Sequence, residues 1–339
     1  MGSGCTIEAL DDDRPIDVST ARRDGTLDTI EAAKTFGAGA TLLFRDVQRH
    51  LEPFALLCRE VERHTGASCK ANVYATPPGG KGFEAHYDTH DVFLLQLEGS
   101  KKWTIYGAPL SLPLVGQPHI ATEHEPGAVQ MEFVLEKGDL LYLPRGVIHE
   151  GRSGNDVSVH ATIGIQVRRW SDAVIEAAAR LFLQDPEFRR ALPADIGDPS
   201  FDAAAASRHL AFLLRRLADA ADTAGTIDHF ARDFVVARKP LVPGQLRQLA
   251  AARGLTSESR FGIRPSVIPR LDVEGDQLVI LAHGRRLALP AELLPAVRFA
   301  LTQASFSLAE LPGDLDDETT LELMRLLIGE GLVTTFDAT

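Results

Sequence analysis

A run of short β-type segments between Asn72 and Val167 is the feature that most constrains the fold of this chain. Turn residues such as PPGG, EGS, EKGD and SGND separate the segments, which are rich in apolar and β-branched residues. The segments read NVYAT, DVFLLQL, WTIY, MEFVL, DLLYLP and SVHATIGIQV. Many short strands joined by turns predict an antiparallel barrel or sandwich.

Helical patterns flank this β-rich segment on both sides. Residues 52–65 carry apolar side chains at positions 54, 57, 58 and 61, which is the 3.6-residue period of an amphipathic helix. We expect that helix to pack on the outside of the barrel. After Trp170, alanine and leucine dominate and glycine becomes scarce, in stretches such as SDAVIEAAARLFL and ASRHLAFLLRRLADAAD. This composition predicts a separate helical region.

A third unit is predicted to begin near Leu271, after a looser crossing that contains four prolines, at positions 240, 243, 265 and 269. It opens with a β-hairpin pattern, QLVILAHGRRLALP, that turns at His283 and Gly284. Two helical stretches and a final LVTTF strand follow, an order that predicts a winged-helix-like module. Such modules often bind DNA, but residues 271–339 hold twelve Asp and Glu against four Arg and no Lys. We therefore expect no nucleic-acid binding.

The overall charge and the cysteines exclude further classes of protein. A formal net charge of -12 would repel a nucleic-acid backbone and fits a basic protein or peptide partner better. No stretch reaches about 18 apolar residues and the N-terminus is acidic, so we predict a cytoplasmic protein without a membrane segment. Cys5, Cys58 and Cys69 form no CxxC pair, which argues against a disulfide framework and a thiolate zinc site.

The stretches FEAHYDTHD and GDLLYLPRGVIHE contain three residues with the chemistry of a metal site. His86 and Asp88 are two apart, and alternate residues of an extended strand point the same way. His149 follows an apolar strand and a Pro-Arg-Gly turn, and barrel closure can bring it to the same place. Two histidines and one carboxylate form the facial triad of non-haem Fe(II) oxygenases. Alone, the HxD pair is a weak signal, because such pairs are usually hydrogen-bonded at a surface.

The run KKWTIY offers a cation near this site. If it is a strand, Lys101 shares a face with Trp103, whereas Lys102 shares the other face with Tyr106. We expect the more apolar face to look into the barrel, where a buried lysine needs an anion such as a bound dicarboxylate. The alternative is a pair of exposed lysines after a turn.

These motifs resemble those of the JmjC-type cupin oxygenases of the ribosomal oxygenase group, whose bacterial members hydroxylate a ribosomal protein. The similarity rests on NVYATPPGGKGFEAHYDTHDVFLLQLEGSKKW and GDLLYLPRGVIHEGRSGNDVSVHATIGI, with HYD, QLEGxKxW and LPRGxxH in the family's order and spacing. It extends more loosely to the helical dimerisation region and the winged-helix module of that group, and so covers about four-fifths of the chain.

The resemblance implies an α+β protein with three parts. A double-stranded β-helix (cupin/JmjC) barrel would form the catalytic domain over residues 1–168. A helical dimerisation region would span 169–265, and a winged-helix-like C-terminal domain would span 266–339. A homodimer is implied in the same way.

The resemblance also implies the roles of individual residues. His86, Asp88 and His149 would bind Fe(II), and Lys101 would bind the C5 carboxylate of the co-substrate 2-oxoglutarate. Asn72 and Tyr74, on the strand before the PPGG loop, match positions that line the co-substrate pocket, and Thr162 matches a hydroxyl near the same carboxylate. For these last three residues, ordinary strand pairing is the alternative interpretation.

The implied activity is that of an Fe(II)- and 2-oxoglutarate-dependent dioxygenase, which uses O2 to hydroxylate an amino-acid residue in a protein or peptide. The substrate would be a ribosomal protein or a natural-product precursor peptide. Because one fold hosts many functions, two other interpretations stay open. One is a cupin scaffold that binds a partner without catalysis, and the other is a metal cupin enzyme that does not use 2-oxoglutarate.

Four further histidines have no assigned role in this scheme. His90 is placed equally well near the substrate or at the surface. His119 and His124 lie in a polar loop bounded by prolines and are predicted to be solvated or to belong to a lid. His160 is predicted to support the site or to pack against it, because facial-triad chemistry needs open coordination positions.

Overall fold

The computed structural model describes residues 7–11, 14–16 and 29–336, so Cys5 lies outside the described residues. The chain divides into two compact units. The first comprises the chain up to Val167 together with Leu241–Pro243, and the second comprises Arg168–Pro240 and the chain from Gly244 onwards.

The first unit contains the predicted β-rich segment. Its described helices are α1 (Thr29–Gly37) and α2 (Glu52–Thr65). Its described strands are β1 (Ile7–Asp11), β2 (Arg14–Ile16), β3 (Thr41–Phe44), β4 (Ser68–Thr76), β5 (Asp91–Glu98), β6 (Ser100–Ile105), β7 (Met131–Glu136), β8 (Leu140–Leu143), β9 (His149–Ser153) and β10 (Ser158–Gln166).

These strands form two antiparallel sheets, which confirms the predicted barrel or sandwich. The larger sheet has the order β2-β1-β3-β4-β10-β5-β8, and the smaller one has the order β7-β6-β9. Buried Val92 and Leu94 of the larger sheet pack against Trp103 and Leu135 of the smaller one, so the inner faces of the two sheets share one interior. This arrangement is the one expected for a cupin barrel, and it brings side chains from distant segments into one cavity.

Helix α2 packs on the outer face of the larger sheet, as the 3.6-residue pattern predicted. Its Cys58 lies in a buried cluster with Ala71 of β4 and Ile163 of β10. Pro53 stands in the first turn, where no intrahelical donor is lost, and Gly66 ends the helix in the left-handed conformation that glycine adopts most readily.

Four described strands of the first unit, β1, β2, β3 and β9, were not predicted, and two of them show why. The sequence of β9, HEGRS, has little β propensity, yet β9 pairs along its whole length with β6. Strand β3 is a four-residue apolar run that period alone does not distinguish from a helix segment. Both strands form because neighbouring strands supply the hydrogen bonds.

The second unit combines helices with two small sheets. Its described helices are α3 (Trp170–Gln184), α4 (Ala203–Ala220), α5 (Thr223–Val236), α6 (Gln245–Ala251), α7 (Leu294–Ala300) and α8 (Asp317–Gly329). Its described strands are β11 (Arg260–Ile263), β12 (Arg270–Glu274), β13 (Gln277–Ala282), β14 (Arg285–Pro290), β15 (Phe306–Ser307) and β16 (Val333–Thr335). The sheet orders are β15-β11-β16 and β12-β13-β14.

The predicted hairpin is confirmed as β13 and β14. Its turn residues, His283 and Gly284, have φ of 54° and 70°, the left-handed values that a two-residue hairpin turn requires. The predicted looser crossing at the prolines between 240 and 269 contains a helix and a strand, α6 and β11. None of the helices in residues 29–336 is both long enough and apolar enough to cross a membrane.

Candidate active site

The backbones of His86 and His149 are hydrogen-bonded directly to each other. The amide of His86 donates to the carbonyl of His149 at 3.1 Å, and the amide of His149 donates to the carbonyl of His86 at 2.8 Å. This isolated antiparallel bridge joins the segment before β5 to the first residue of β9. Main-chain bonds therefore bring together two residues that are far apart in the sequence.

Both rings are oriented by backbone carbonyls. Nδ1 of His86 lies 2.7 Å from the carbonyl oxygen of Glu84, and Nδ1 of His149 lies 3.0 Å from that of Val147. Because a carbonyl can only accept, each Nδ1 carries the proton and donates it. In the neutral rings, the lone pair is then left on Nε2, the arrangement found in histidines that bind metals.

Asp88 completes a group of three potential ligands. One of its carboxylate oxygens lies 3.9 Å from Nε2 of His149. The ligand atoms of His86, Asp88 and His149 all lie within 4.8 Å of one another. Burial, and then repulsion by His86, lower the pKa of His149 from 6.5 to about 4, so the ring is neutral at pH 7. The predicted triad residues are thus brought together in a form that suits a divalent cation.

The alternation of β6 separates the two candidate lysines. Lys101 is 3% exposed and shares the inner face with Trp103, which is 5% exposed. Lys102 lies at the surface and forms an ion pair of 2.9 Å with Glu132. Lys101 is therefore the lysine that reaches the interior.

Lys101 is a buried cation without an anion. Its Nζ donates to Thr76 Oγ1 at 3.3 Å and lies 5.5 Å from the centre of the Trp103 ring. Among the described residues, no carboxylate pairs with it. Burial lowers its pKa from 10.5 to about 7. A buried charge of this kind is stable only with a partner, which a dicarboxylate ligand would supply.

Sequence reasoning missed Gly151, which makes room for this lysine. A methyl group built on Gly151 would lie 2.8 Å from Cε of Lys101 and 3.1 Å from the Trp103 ring. Any side chain there would displace the lysine. In a strand, alternate residues share a face, so His149 could have indicated that Gly151 also faces the cavity. This went unnoticed because β9 itself was not predicted.

Asn72, Tyr74 and Thr162 lie on adjacent strands and face the same cavity. Asn72 of β4 pairs directly with Thr162 of β10, and Tyr74 pairs with His160. The side-chain oxygen of Asn72 accepts a hydrogen bond of 3.0 Å from the amide of Asp46. Strand pairing, which was the alternative for these residues, and a position on the cavity wall are therefore both present.

His160 supports the inner end of the cavity. Its ring stacks on Tyr74 with centres 4.8 Å apart and meets the edge of Trp103 at 5.4 Å. In the described part of the chain, neither Nδ1 of His160 nor Nε1 of Trp103 has a hydrogen-bond partner. Burial, and then Lys101, hold the pKa of His160 well below its ordinary value. Both groups are therefore buried without the hydrogen bonds that buried polar groups usually form.

One cavity of about 340 Å³ joins these features, within the usual size range of small-molecule sites. It is lined by Arg45, Asn72, Tyr74, Gly82, Phe83, His86, Asp88, His90, Leu94, Lys101, Trp103, His149, Glu150, Gly151, His160 and Thr162. The arrangement can hold a metal at the triad and an anionic group at Lys101 at the same time.

His119 and His124 lie beside the triad rather than in it. Their rings flank Tyr87 at 5.1 Å and 5.3 Å, and the Tyr87 hydroxyl lies 3.1 Å from the carbonyl of Gln117. Because Tyr87 stands between His86 and Asp88 in the sequence, the loop that carries these histidines is attached to the ligand-bearing segment.

Comparison with known proteins connects this geometry to a family. Residues 47–173 match the family model described as the JmjC domain. The chain is 37% identical over 242 residues to ribosomal oxygenase 1 of Gallus gallus, which covers 66% of this chain and 40% of that protein. It is 40% identical over 148 residues to a bifunctional lysine-specific demethylase and histidyl-hydroxylase of Dictyostelium discoideum, covering 41% of this chain and 29% of that protein. The chain thus spans less than half the length of both relatives.

The fold matches a solved structure along nearly the whole chain. The ribosomal oxygenase YcfD of Escherichia coli, in complex with cobalt and 2-oxoglutarate, superposes with a TM-score of 0.56 and 16% identity. The match covers 98% of this chain and 86% of that chain. At this identity, the likeness concerns the fold alone.

Proposed function

We propose that this chain, whose residues 47–173 match the JmjC domain and which is similar to the ribosomal oxygenases, is an Fe(II)- and 2-oxoglutarate-dependent dioxygenase that hydroxylates a residue in a protein or peptide. The observation that carries the proposal is the combination of a His-Asp-His cluster and a buried lysine without an anion in one cavity. A metal site alone would serve many reactions, but the lysine adds a receptor for a carboxylate.

The donor set fits the metal. His86 and His149 would bind Fe(II) through Nε2, and Asp88 would bind it through a carboxylate oxygen. Bound iron, together with 2-oxoglutarate and O2, supplies the oxidising chemistry that no side chain can provide.

The remaining residues bind, orient and exclude water. Lys101 would hold the C5 carboxylate of the co-substrate, because a charge-assisted bond to a buried cation fixes one end of the molecule. Asn72, Tyr74 and Thr162 would form the walls that orient it. Buried Leu94 and Trp103 would keep water from the reacting atoms.

The names of the relatives favour a ribosomal protein over a natural-product precursor peptide as substrate. The net charge of -12 supports this choice, because ribosomal proteins bind RNA and are generally basic. A substrate of this kind would be attracted before it docks.

For the rest of the chain, we propose the three-part division at residues 1–168, 169–265 and 266–339. Exposed apolar side chains on α3 and α4 support dimerisation through the helical region, since Trp170 is 81% exposed, Leu183 79% and Leu210 57%. Sedimentation velocity, which separates a monomer from a dimer, tests this.

The hairpin of β13 and β14 together with α8 supports a winged-helix-like C-terminal domain, and its acidic composition supports protein contact rather than nucleic-acid binding. We place the protein in the cytoplasm, where the free thiols of Cys58 and Cys69 would stay reduced.

The test is an anaerobic titration of the metal-free protein with Fe(II) and then 2-oxoglutarate, followed by the visible charge-transfer band of the chelate. We expect the band in the wild type and no band in His86→Ala. Lys101→Ala should need about a hundredfold more 2-oxoglutarate, because one partner of a buried ion pair is lost. Lys102→Ala is the matched control and should behave as the wild type.

Two outcomes would contradict the proposal. If Lys101→Ala bound 2-oxoglutarate with unchanged affinity, 2-oxoglutarate would no longer be part of the proposed function. Bound iron without any band would favour a different cupin reaction or a non-catalytic scaffold, the two alternatives that the sequence left open.

A further inference from the structure

His90 is a polar residue of the cavity wall that the scheme above does not use. It follows Asp88 by two residues and lies just before β5. Its ring lies against β10 at Gly164. A methyl group built on Gly164 would lie 2.7 Å from Nε2 and 2.8 Å from Cδ2 of His90, closer than such atoms approach in folded proteins. The glycine therefore creates the space in which this ring rests.

The position of Gly164 along β10 tells which part of the cavity His90 faces. His160, Thr162 and Gly164 alternate along the inner face of the strand. His160 contacts Trp103 at the Lys101 end. Gly164 is four residues further on, which is roughly 13 Å at the usual rise of an antiparallel strand.

His90 thus lies at the triad end of the cavity, beside Asp88 and away from Lys101. A five-carbon dicarboxylate that is held at one end by Lys101 and reaches the triad with the other would end before this ring. The space in front of His90 is then left for the molecule that is oxidised.

The His90 ring has unused hydrogen-bonding capacity. None of the described residues forms a hydrogen bond or an ion pair with it. A neutral imidazole offers one donor and one acceptor, and a half-buried ring of this kind gains most from a ligand that satisfies both.

We propose that His90, held against Gly164, binds the target side chain of the substrate and makes the enzyme prefer a polar, hydrogen-bonding residue over an aliphatic one. This inference rests on the proposed function and adds a specificity-determining residue to it. The reason for the preference is that an aliphatic target would leave the imidazole unpaired when the substrate closes the cavity.

The experiment uses synthetic basic peptides that differ only at the central residue, which is polar in one set and aliphatic in the other. Incorporation of one oxygen is followed by mass spectrometry in the wild type, His90→Leu and His90→Gln. We expect His90→Leu to lower kcat/KM for polar-centred peptides about tenfold, the loss that follows from one hydrogen bond. His90→Gln keeps a donor and an acceptor and should retain most of the preference.

A double-mutant cycle tests the contact with Gly164. Gly164→Ala should displace the ring and reproduce the loss seen in His90→Ala. The double variant His90→Ala with Gly164→Ala should be no worse than either single variant, because the clash disappears with the ring. Additive losses would mean that Gly164 acts on the strand and not on His90.

The anaerobic titration separates this inference from the proposed function. If the wild type forms no chelate band, the proposed function fails and the role of His90 fails with it. If the band forms and His90→Ala weakens 2-oxoglutarate binding tenfold or more, His90 belongs to the co-substrate and the inference is wrong. It is equally wrong if His90→Leu and the wild type have the same ratio of polar to aliphatic turnover.

Discussion

Buried polar side chains differ in their hydrogen bonding between the interior of the barrel and the core of the second unit. Beside the apolar core around Phe261 and Phe306, buried polar side chains have partners. Arg264 donates to the carbonyl of Gly331 at 3.0 Å, and the same carbonyl lies 3.3 Å from Nε2 of His283. In the described part of the barrel, Lys101 pairs with no carboxylate, and Nδ1 of His160 and Nε1 of Trp103 have no hydrogen-bond partner.

This difference indicates what each region is for. A buried polar group without a partner costs about 1 to 3 kcal/mol. Several such groups in one cavity therefore make the barrel less stable than it would be if all of them were paired. Ligands that complete these bonds would recover that free energy on binding. Among the described residues, the polar side chains around Phe261 and Phe306 show no such deficit, so this core is built for stability.

The largest expected difference between the two regions is the loss of stability when a buried apolar side chain is truncated to alanine. Phe306 is fully buried between Phe261 and Phe299, and Phe306→Ala should destabilise its unit by about 4 kcal/mol. Leu94→Ala in the barrel should cost less than half of that, because it only enlarges an existing cavity. Hydrogen exchange measured separately for β11 and β5 gives both values, and equal losses would break the comparison.

A smaller effect, of opposite sign in the two regions, concerns the buried cations. Lys101→Met should stabilise the ligand-free protein by about 1 kcal/mol, because an uncompensated charge is removed. Arg264→Met should destabilise it by about 2 kcal/mol, because its acceptors lose their donor. Segment-resolved hydrogen exchange again provides the measurement. A Lys101→Met variant less stable than the wild type would show that the lysine is paired in the free protein.

A third effect is a pH dependence that Lys101 imposes on the barrel. Because its pKa is about 7 in the folded protein and 10.5 ordinarily, the unfolded chain binds more protons between these values. Stability of the ligand-free protein should therefore rise with pH across that window. Affinity for 2-oxoglutarate should fall about tenfold per pH unit above 7, since the bound state needs the charged lysine. Titrations at several pH values test this, and Lys101→Arg should give a nearly flat profile.

Most elements of the fold could be predicted because local pattern and tertiary environment agree. The strands β5 and β10 combine β-branched sequence with clear turns, and α2 has an unbroken helical period. Strand β9 could not be predicted, because its polar residues form a strand only when β6 lies beside them. Helix α6 and strand β11 were missed because the surrounding prolines suggested a loop. Pro243 and Pro265 in fact stand outside both elements, where they do not interrupt either one.

The site was predictable where chemistry and spacing coincide in the sequence. The two-residue spacing of His86 and Asp88 and the alternation of β6 both pointed to residues that the structure brings to the cavity. Gly151 and Gly164 could not be found, because each acts only by leaving space for a side chain from another segment. Such roles depend on closure of the barrel and leave no local signal.

The backbone bridge between His86 and His149 has a consequence for how a metal would bind at the proposed site. Main-chain bonds already set the distance between these two residues, so metal binding would need no further folding of this segment. An ion that is lost or oxidised can be exchanged without rebuilding its surroundings. A site of this kind would also discriminate poorly among ions of similar size, so the metal bound there would reflect the supply in the cell.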